Sequence, residues 1–212
     1  MTKTGFCRFR KYFCAPIVAL CLFAYVPEIS FASTQSQDIG VFYSPDSNLE
    51  QLDIREISLA TRTIDIAMYS FTDRNIGNAL LAAADRGVIV RIYRDKTQIL
   101  DRNDQTKRML INPNIHVRIK NNNRYNIMHL KAYVIDGEML REGSANWSPA
   151  GEGAWKSRTE AAPTASGTVQ QDNTVVLTTD PESVMIFRKH FERLWNREDN
   201  IRNVGEFLSE GR

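Results

Sequence analysis

Apolar positions along the chain recur at two spacings, alternate residues in some stretches and every third or fourth in others, and each switch marks a change from strand to helix. The run IGVFY at 39–43 predicts a strand. Leu49, Leu52, Ile57 and Ala60 then fall at helical spacing behind a Ser/Asp-rich turn that can cap them. IDIAMYSFT at 64–72 predicts a second strand, and DRNIGNALLAAADRG at 73–87 a helix with Asp73 as N-cap and Gly87 as stop. VIVRIY at 88–93 is a third strand. The polar stretch from Asp95 to Ile111 reads as helical until Asn-Pro-Asn at 112–114 breaks it, and IHVRI at 115–119 follows as a strand. After a loop, NNNRYN, a strand is predicted from Met128 to Asp136, a turn at DGE, and a return strand from Met139 to Ala145. A long loop runs to about Gln171, NTVVL at 173–177 is a strand, and PESVMIFRKHFERLWNRE at 181–198 is an amphipathic helix started by Pro181. Strands separated by helices predict an α/β fold, with a mixed, largely buried β-sheet flanked by helices in one domain.

The first 32 residues stand outside that pattern. Lys3, Arg8, Arg10 and Lys11 precede an uncharged run from Tyr12 to Val26, and Ser30 and Ala32 lie three and one before a cut after Ala32. This is the layout of a secretory signal peptide, and the run falls short of the ~20 apolar residues that span a bilayer. The expected mature domain is 33–212, exported to the periplasm or secreted, with no stable membrane anchor. Cys7, Cys14 and Cys21 all lie in the leader, so the mature chain would hold neither a disulfide nor a thiol nucleophile.

Without the leader, 23 basic residues face 24 acidic ones, which excludes a globally basic nucleic-acid binder. The charge is unevenly spread, however. From Arg86 to Lys131 there are eleven Lys and Arg against three Asp, while the segments on either side are net acidic. A basic field ending beside a reactive site would attract a polyanion; a merely solvated face is the plain alternative.

The block ends at MHLKAYVIDGEMLREGSANWS, residues 128–148. On a strand His129, Lys131, Tyr133 and Ile135 share one face, and Leu130, Ala132, Val134 and Asp136 the other. A neutral imidazole beside a fixed positive charge suits attack on a phosphate ester, with the backbone at Gly143, the Ser144 hydroxyl and the Asn146 amide as donors to its oxygens. This chemistry calls for no metal and no cofactor.

The full pattern, His-x-Lys, four residues, Asp, six residues, Gly-Ser-x-Asn, resembles the phospholipase D superfamily. More narrowly it is similar to the small exported Nuc-type endonucleases that carry one copy of the motif. VFYSPD at 41–46, IDIAMYSFTD at 64–73, ALLAAADRGVIVRI at 79–92 and QDNTVVL at 171–177 look like the corresponding family segments. The resemblance implies a phospholipase D-like sheet and a site built from two motifs about a two-fold axis. Neither His116 nor His190 begins a second motif, so it further implies a homodimer with the active site at the interface. By the same resemblance His129 of one subunit forms a phosphohistidine, His129 of the other protonates the leaving oxygen, and Lys131, Ser144 and Asn146 hold the phosphate. Asp136 belongs to the signature, yet alternation points it away from His129. A carboxylate orienting His129 is expected at Asp172, with Glu152 or Glu160 as alternatives. The loop residues Trp147, Trp155, Lys156 and Arg158 form an aromatic and basic set able to stack on bases or to pack the loop down. Nucleic acid is the expected substrate. A phosphodiester lipid such as cardiolipin is the second reading, and a non-catalytic nucleic-acid-binding protein the third.

Overall fold

The computed structural model describes Met1 and residues 40–123, 125–154 and 171–210. The proposed signal peptide, and Trp155, Lys156, Arg158 and Glu160, lie outside the described residues. The strands are β1 (Gly40–Ser44), β2 (Thr63–Met68), β3 (Ile89–Asp95), β4 (Ile115–Lys120), β5 (Lys131–Ile135), β6 (Met139–Gly143) and β7 (Asn173–Thr178). The helices are α1 (Leu49–Leu59), α2 (Arg74–Asp85), the single turn α3 (Thr106–Met109), α4 (Pro181–Trp195) and α5 (Val204–Glu210).

The strands form one sheet in the order β1-β7-β6-β5-β2-β3-β4. β2, β3 and β4 run parallel, with helical crossovers between them, whereas β5, β6, β7 and β1 pair antiparallel. The sheet is therefore mixed, with β5 antiparallel to β2 at its centre. Alternation sorts the strand residues onto two cores. Ile64, Ile66, Met68, Tyr133 and Ile135 pack with α1 and α2 on one face, and Ala67, Ala132, Val134 and Leu140 pack with Val184, Phe187, Phe191 and Trp195 of α4 on the other.

Local chemistry explains the element ends. Asp73 Oδ1 accepts from the amides of Asn75 and Ile76 and starts α2, and Asp180 accepts from Ser183 N just before Pro181 starts α4. The cap of α1 is Asn48, which accepts from Gln51 N. Asp136 and Gly137 both have positive φ, 53° and 74°, and Glu138 N donates to Ile135 O at 2.9 Å. That is the two-residue turn whose twist suits a hairpin.

Two expectations of extent change markedly. β2 stops at Met68, so Tyr69–Asp73 is irregular backbone. The stretch from Asp95 to Ile111 makes only a 3₁₀ turn at Gln98–Leu100 and the short α3. There Asp95, Asp101 and Asp104 each accept from an amide two residues on, at Thr97, Asn103 and Thr106, and those local turns compete with a helix. α5, seven residues long, is too short to announce itself by periodicity.

Candidate active site

The site grows from the beginning of β5. Tyr69 N donates to Leu130 O at 2.9 Å, which extends the β2–β5 ladder past Lys131 and leaves His129 exposed just before the strand begins. His129 sits edge-on to the Tyr69 ring, centroids 4.6 Å apart. Lys131 is only 6% exposed; its Nζ lies 5.0 Å from the same ring and donates to His129 O at 2.7 Å. Imidazole and ammonium thus meet on one tyrosine, on the face that alternation assigns to them.

The second half of the motif comes back along β6. A Cβ at Gly143 would land on the Thr174 carbonyl of β7, so this close approach requires glycine. Ser144 N donates to Thr174 O, and Ser144 Oγ, 2.9 Å from both groups, donates to Asn173 Oδ1 and accepts from Thr174 N. Asn146 Oδ1 accepts from Ser70 N at 3.2 Å, which places it one residue from Tyr69. With its oxygen engaged, Asn146 offers a ligand its amide N–H groups.

Two buried arginines hold these backbones together. Arg141 Nη1 donates to Lys131 O at 2.9 Å and to Ala145 O at 3.1 Å, tying the His-x-Lys strand to the Gly-Ser-x-Asn turn. Its Nη2 and Nε pair with Asp53 of α1, and both side chains are fully buried. Asp53 also accepts from Tyr133 OH at 3.0 Å and Trp147 Nε1 at 2.7 Å. Arg94, buried and paired with Asp104, donates to the carbonyls of Met68 and Tyr69. Sequence reasoning missed Asp53, Arg141 and Tyr69. One signal was present: Asp53 lies at helical spacing between Leu49 and Ile57, on the apolar face of α1.

Burial, with the Arg141 charge behind it, lowers the Lys131 pKa to about 8. His129 is held below its ordinary value by partial desolvation and by Lys131, against an opposing pull from Asp95. A neutral imidazole near pH 7 follows, with a free nitrogen able to act as nucleophile. Asp95 also accepts from Met128 N at 2.7 Å and so anchors the residue before His129.

The other candidates are placed differently. Asp136 lies at the far end of β5, where its carboxylate accepts from the amides of Thr61, Arg62 and Thr63 and from the Thr61 hydroxyl. Those donors outweigh desolvation and hold its pKa below the usual carboxylate range. Asp172 is exposed on the approach to β7. Glu152 is fully buried near Asp53, Asp73 and Arg141, and desolvation followed by the Asp53 charge pushes its pKa well up. Trp147 is fully buried against Phe71 and Tyr133, so it packs the loop down and is not available to stack on a base. Nor does the basic block form one field: Arg94 is interior, Arg91 pairs with Asp65 and Glu192, and Arg86 donates to Ser58 O. Among the described residues no group of His, Cys, Asp and Glu is placed to hold a metal ion.

A mixed sheet whose central antiparallel strand begins at His-x-Lys and whose next strand ends at Gly-Ser-x-Asn defines the phospholipase D-like class of fold and site. Residues 54–195 match the family model described as cardiolipin synthase, PLD-like domain, and the chain belongs to this phospholipase D-like family. Among solved structures it is similar to Nuc from Salmonella typhimurium, a phospholipase D family member, with a TM-score of 0.61 and 26% identity, covering 77% of this chain and 97% of that one. NucT from Helicobacter pylori gives a TM-score of 0.60 and 25% identity, covering 73% and 93%. Among curated proteins it is 29% identical to a mitochondrial cardiolipin hydrolase of Chlamydomonas reinhardtii over 65% of this chain and 53% of that protein. The human protein of that name is 27% identical over 72% and 52%. The chain spans about half the length of these curated relatives.

Proposed function

We propose that this chain is an exported, metal-independent phosphodiesterase that hydrolyses nucleic acid, DNA first and RNA as a second substrate, through a phosphohistidine. The observation that carries the reading is the convergence of His129 and Lys131 on Tyr69 where β5 begins, with Asn146 held to the residue after Tyr69. A neutral His129 nitrogen attacks phosphorus, the P–O ester bond breaks, and the leaving oxygen takes a proton from His129 of a second copy. That second imidazole then removes a proton from water, which attacks the phosphohistidine and frees both the first His129 and a phosphate monoester end. Lys131, Ser144 and the Asn146 amide hold the non-bridging oxygens. A single motif copy supports the homodimer, as do Leu130 and Ile186, which are exposed and line a cavity together with His129. Export rests on the leader's pattern and is checked by a mature N-terminus at Ser33.

A second reading has its own observation. A cavity of about 470 Å³ beside His129 has one apolar wall, Leu130, Ala132, Leu140, Ile186 and Phe187, suited to an acyl chain, with Glu142, Ser183 and His190 also on its lining, and the curated relatives are named cardiolipin hydrolases. The test is a parallel assay of residues 33–212 on plasmid, single-stranded DNA and cardiolipin vesicles in EDTA. Nicked plasmid with wild-type protein and intact plasmid with His129→Asn are expected. Vesicle hydrolysis with intact plasmid would replace the first reading by the second, and inactivity on all three would leave a binding protein.

A further inference from the structure

The irregular run after β2 does more than carry Tyr69. It continues through Ser70 and Phe71 to Thr72, whose amide donates to Trp147 O at 2.8 Å, so the same backbone that supports His129 is stitched to the Gly-Ser-x-Asn turn. On its far side Gln105 N donates to Phe71 O at 2.9 Å and brings up the loop before α3. Between that loop and α2 lies a cavity of about 680 Å³. Its wall carries four cations, Arg74, Arg102, Lys107 and Arg108, and one acid, Asp104.

The charges in this cavity are not cancelled locally. Asp104 is consumed from beneath: one oxygen pairs with the buried Arg94 and the other accepts from Thr106 N. Among the described residues no salt bridge involves Arg74, Arg102, Lys107 or Arg108. Arg108 is held by neutral partners, Gln105 Oε1 and Asn78 Oδ1, both at 2.7 Å, which orient its guanidinium without neutralising it. Arg74, Arg102 and Lys107 are exposed. Thr72 is three residues from Tyr69, a reach of at most ~11 Å.

We infer that this α2–α3 cavity is a phosphate-binding subsite for the strand flanking the scissile bond, a few nucleotides from the phosphate at His129. The inference rests on the nucleic-acid reading above and adds to it where the strand runs: across the parallel half of the sheet, away from the apolar cavity beside α4. Binding there is by charge, so it is sequence-independent and salt-sensitive.

The experiment compares wild type with Arg102→Ala/Lys107→Ala, two surface changes away from the core. Steady-state cleavage of a single-stranded oligonucleotide is measured over a range of salt, beside hydrolysis of bis(4-nitrophenyl) phosphate, which is too small to span both sites. The double variant is expected to raise KM for the oligonucleotide about 10-fold more than KM for the small diester, with kcat changing much less. Its plot of log KM against log salt should flatten by about 1.4, the loss of two single-strand contacts. A wild type that cuts the oligonucleotide with a variant that keeps its KM and salt slope overturns the subsite alone. A wild type that spares the oligonucleotide and hydrolyses cardiolipin vesicles overturns both the subsite and the nucleic-acid reading.

Discussion

At the residue scale, the imidazole and the ammonium of the signature are tuned to different ends. In the single chain partial desolvation, and then the Lys131 charge, hold His129 below its ordinary pKa, which suits the copy that attacks phosphorus. The copy that protonates the leaving oxygen gains its proton in the assembled, phosphate-bound site. Lys131 is useful only while charged, yet burial and Arg141 bring its pKa to about 8. The sign is fixed by the role: as pH rises through about 8, Lys131 loses the charge that holds the phosphate. Activity on a soluble diester, followed as kcat/KM in the free enzyme, should therefore show an alkaline loss with a midpoint near 8, in addition to the fall imposed by deprotonation of the His129 that serves as acid. A profile that is flat from pH 7 to 10 would contradict this role for Lys131. Asp136 behaves oppositely. Its folded pKa is depressed, so its contribution to stability is present above the ordinary carboxylate range and is lost as pH falls through the folded value. Its four donors lie on the approach to β2, so its visible work is to fasten the β5–β6 turn to that strand.

At the scale of elements, the site is a joint between β5, the turn after β6, and α1. Arg141 is the joint's pin, since one nitrogen serves the carbonyls of Lys131 and Ala145 while the others face Asp53. Arg141→Met leaves the Asp53 carboxylate buried without its ion partner, a loss expected to cost about 3–5 kcal/mol of stability. Adding Asp53→Asn removes that stranded charge, and urea unfolding should recover much of the difference. Turnover per folded molecule should stay low in the double variant, because the two carbonyls remain untethered. Recovery of both stability and kcat would reduce the pair to a purely structural role.

At the scale of the whole molecule, one chain presents one exposed His129, whereas the proposed chemistry uses two imidazoles in opposite protonation states. If the site is completed by a second copy, a dimer containing one His129→Asn chain is inactive. Refolding mixtures of wild type and His129→Asn should then give activity that follows the square of the wild-type fraction, about one quarter at equal amounts, as random pairing in a two-fold dimer requires. A linear dependence would mean that each chain is complete by itself.

What the sequence alone determined is what depends on near neighbours. The alternation of β5 put Lys131 and Tyr133 on one face and Ala132 and Val134 on the other, Asp73 and Pro181 marked helix starts, Asp-Gly marked the hairpin, and the spacing of His129, Lys131, Ser144 and Asn146 marked the family. Each is a matter of a few bonds along the chain, where periodicity and capping act directly. Tertiary structure alone decided the rest. It brought Asp53 to Arg141 across 88 residues, set Tyr69 against His129 from the irregular backbone after β2, and buried Trp147, which as a loop residue was a candidate for stacking. It also dispersed a run of eleven basic residues into a buried clamp, ion pairs, a helix terminus and a separate cationic cavity. A charge's surroundings, and hence whether it is a pin, a partner or a contact for substrate, are set by elements far apart in the chain, and no local pattern records them.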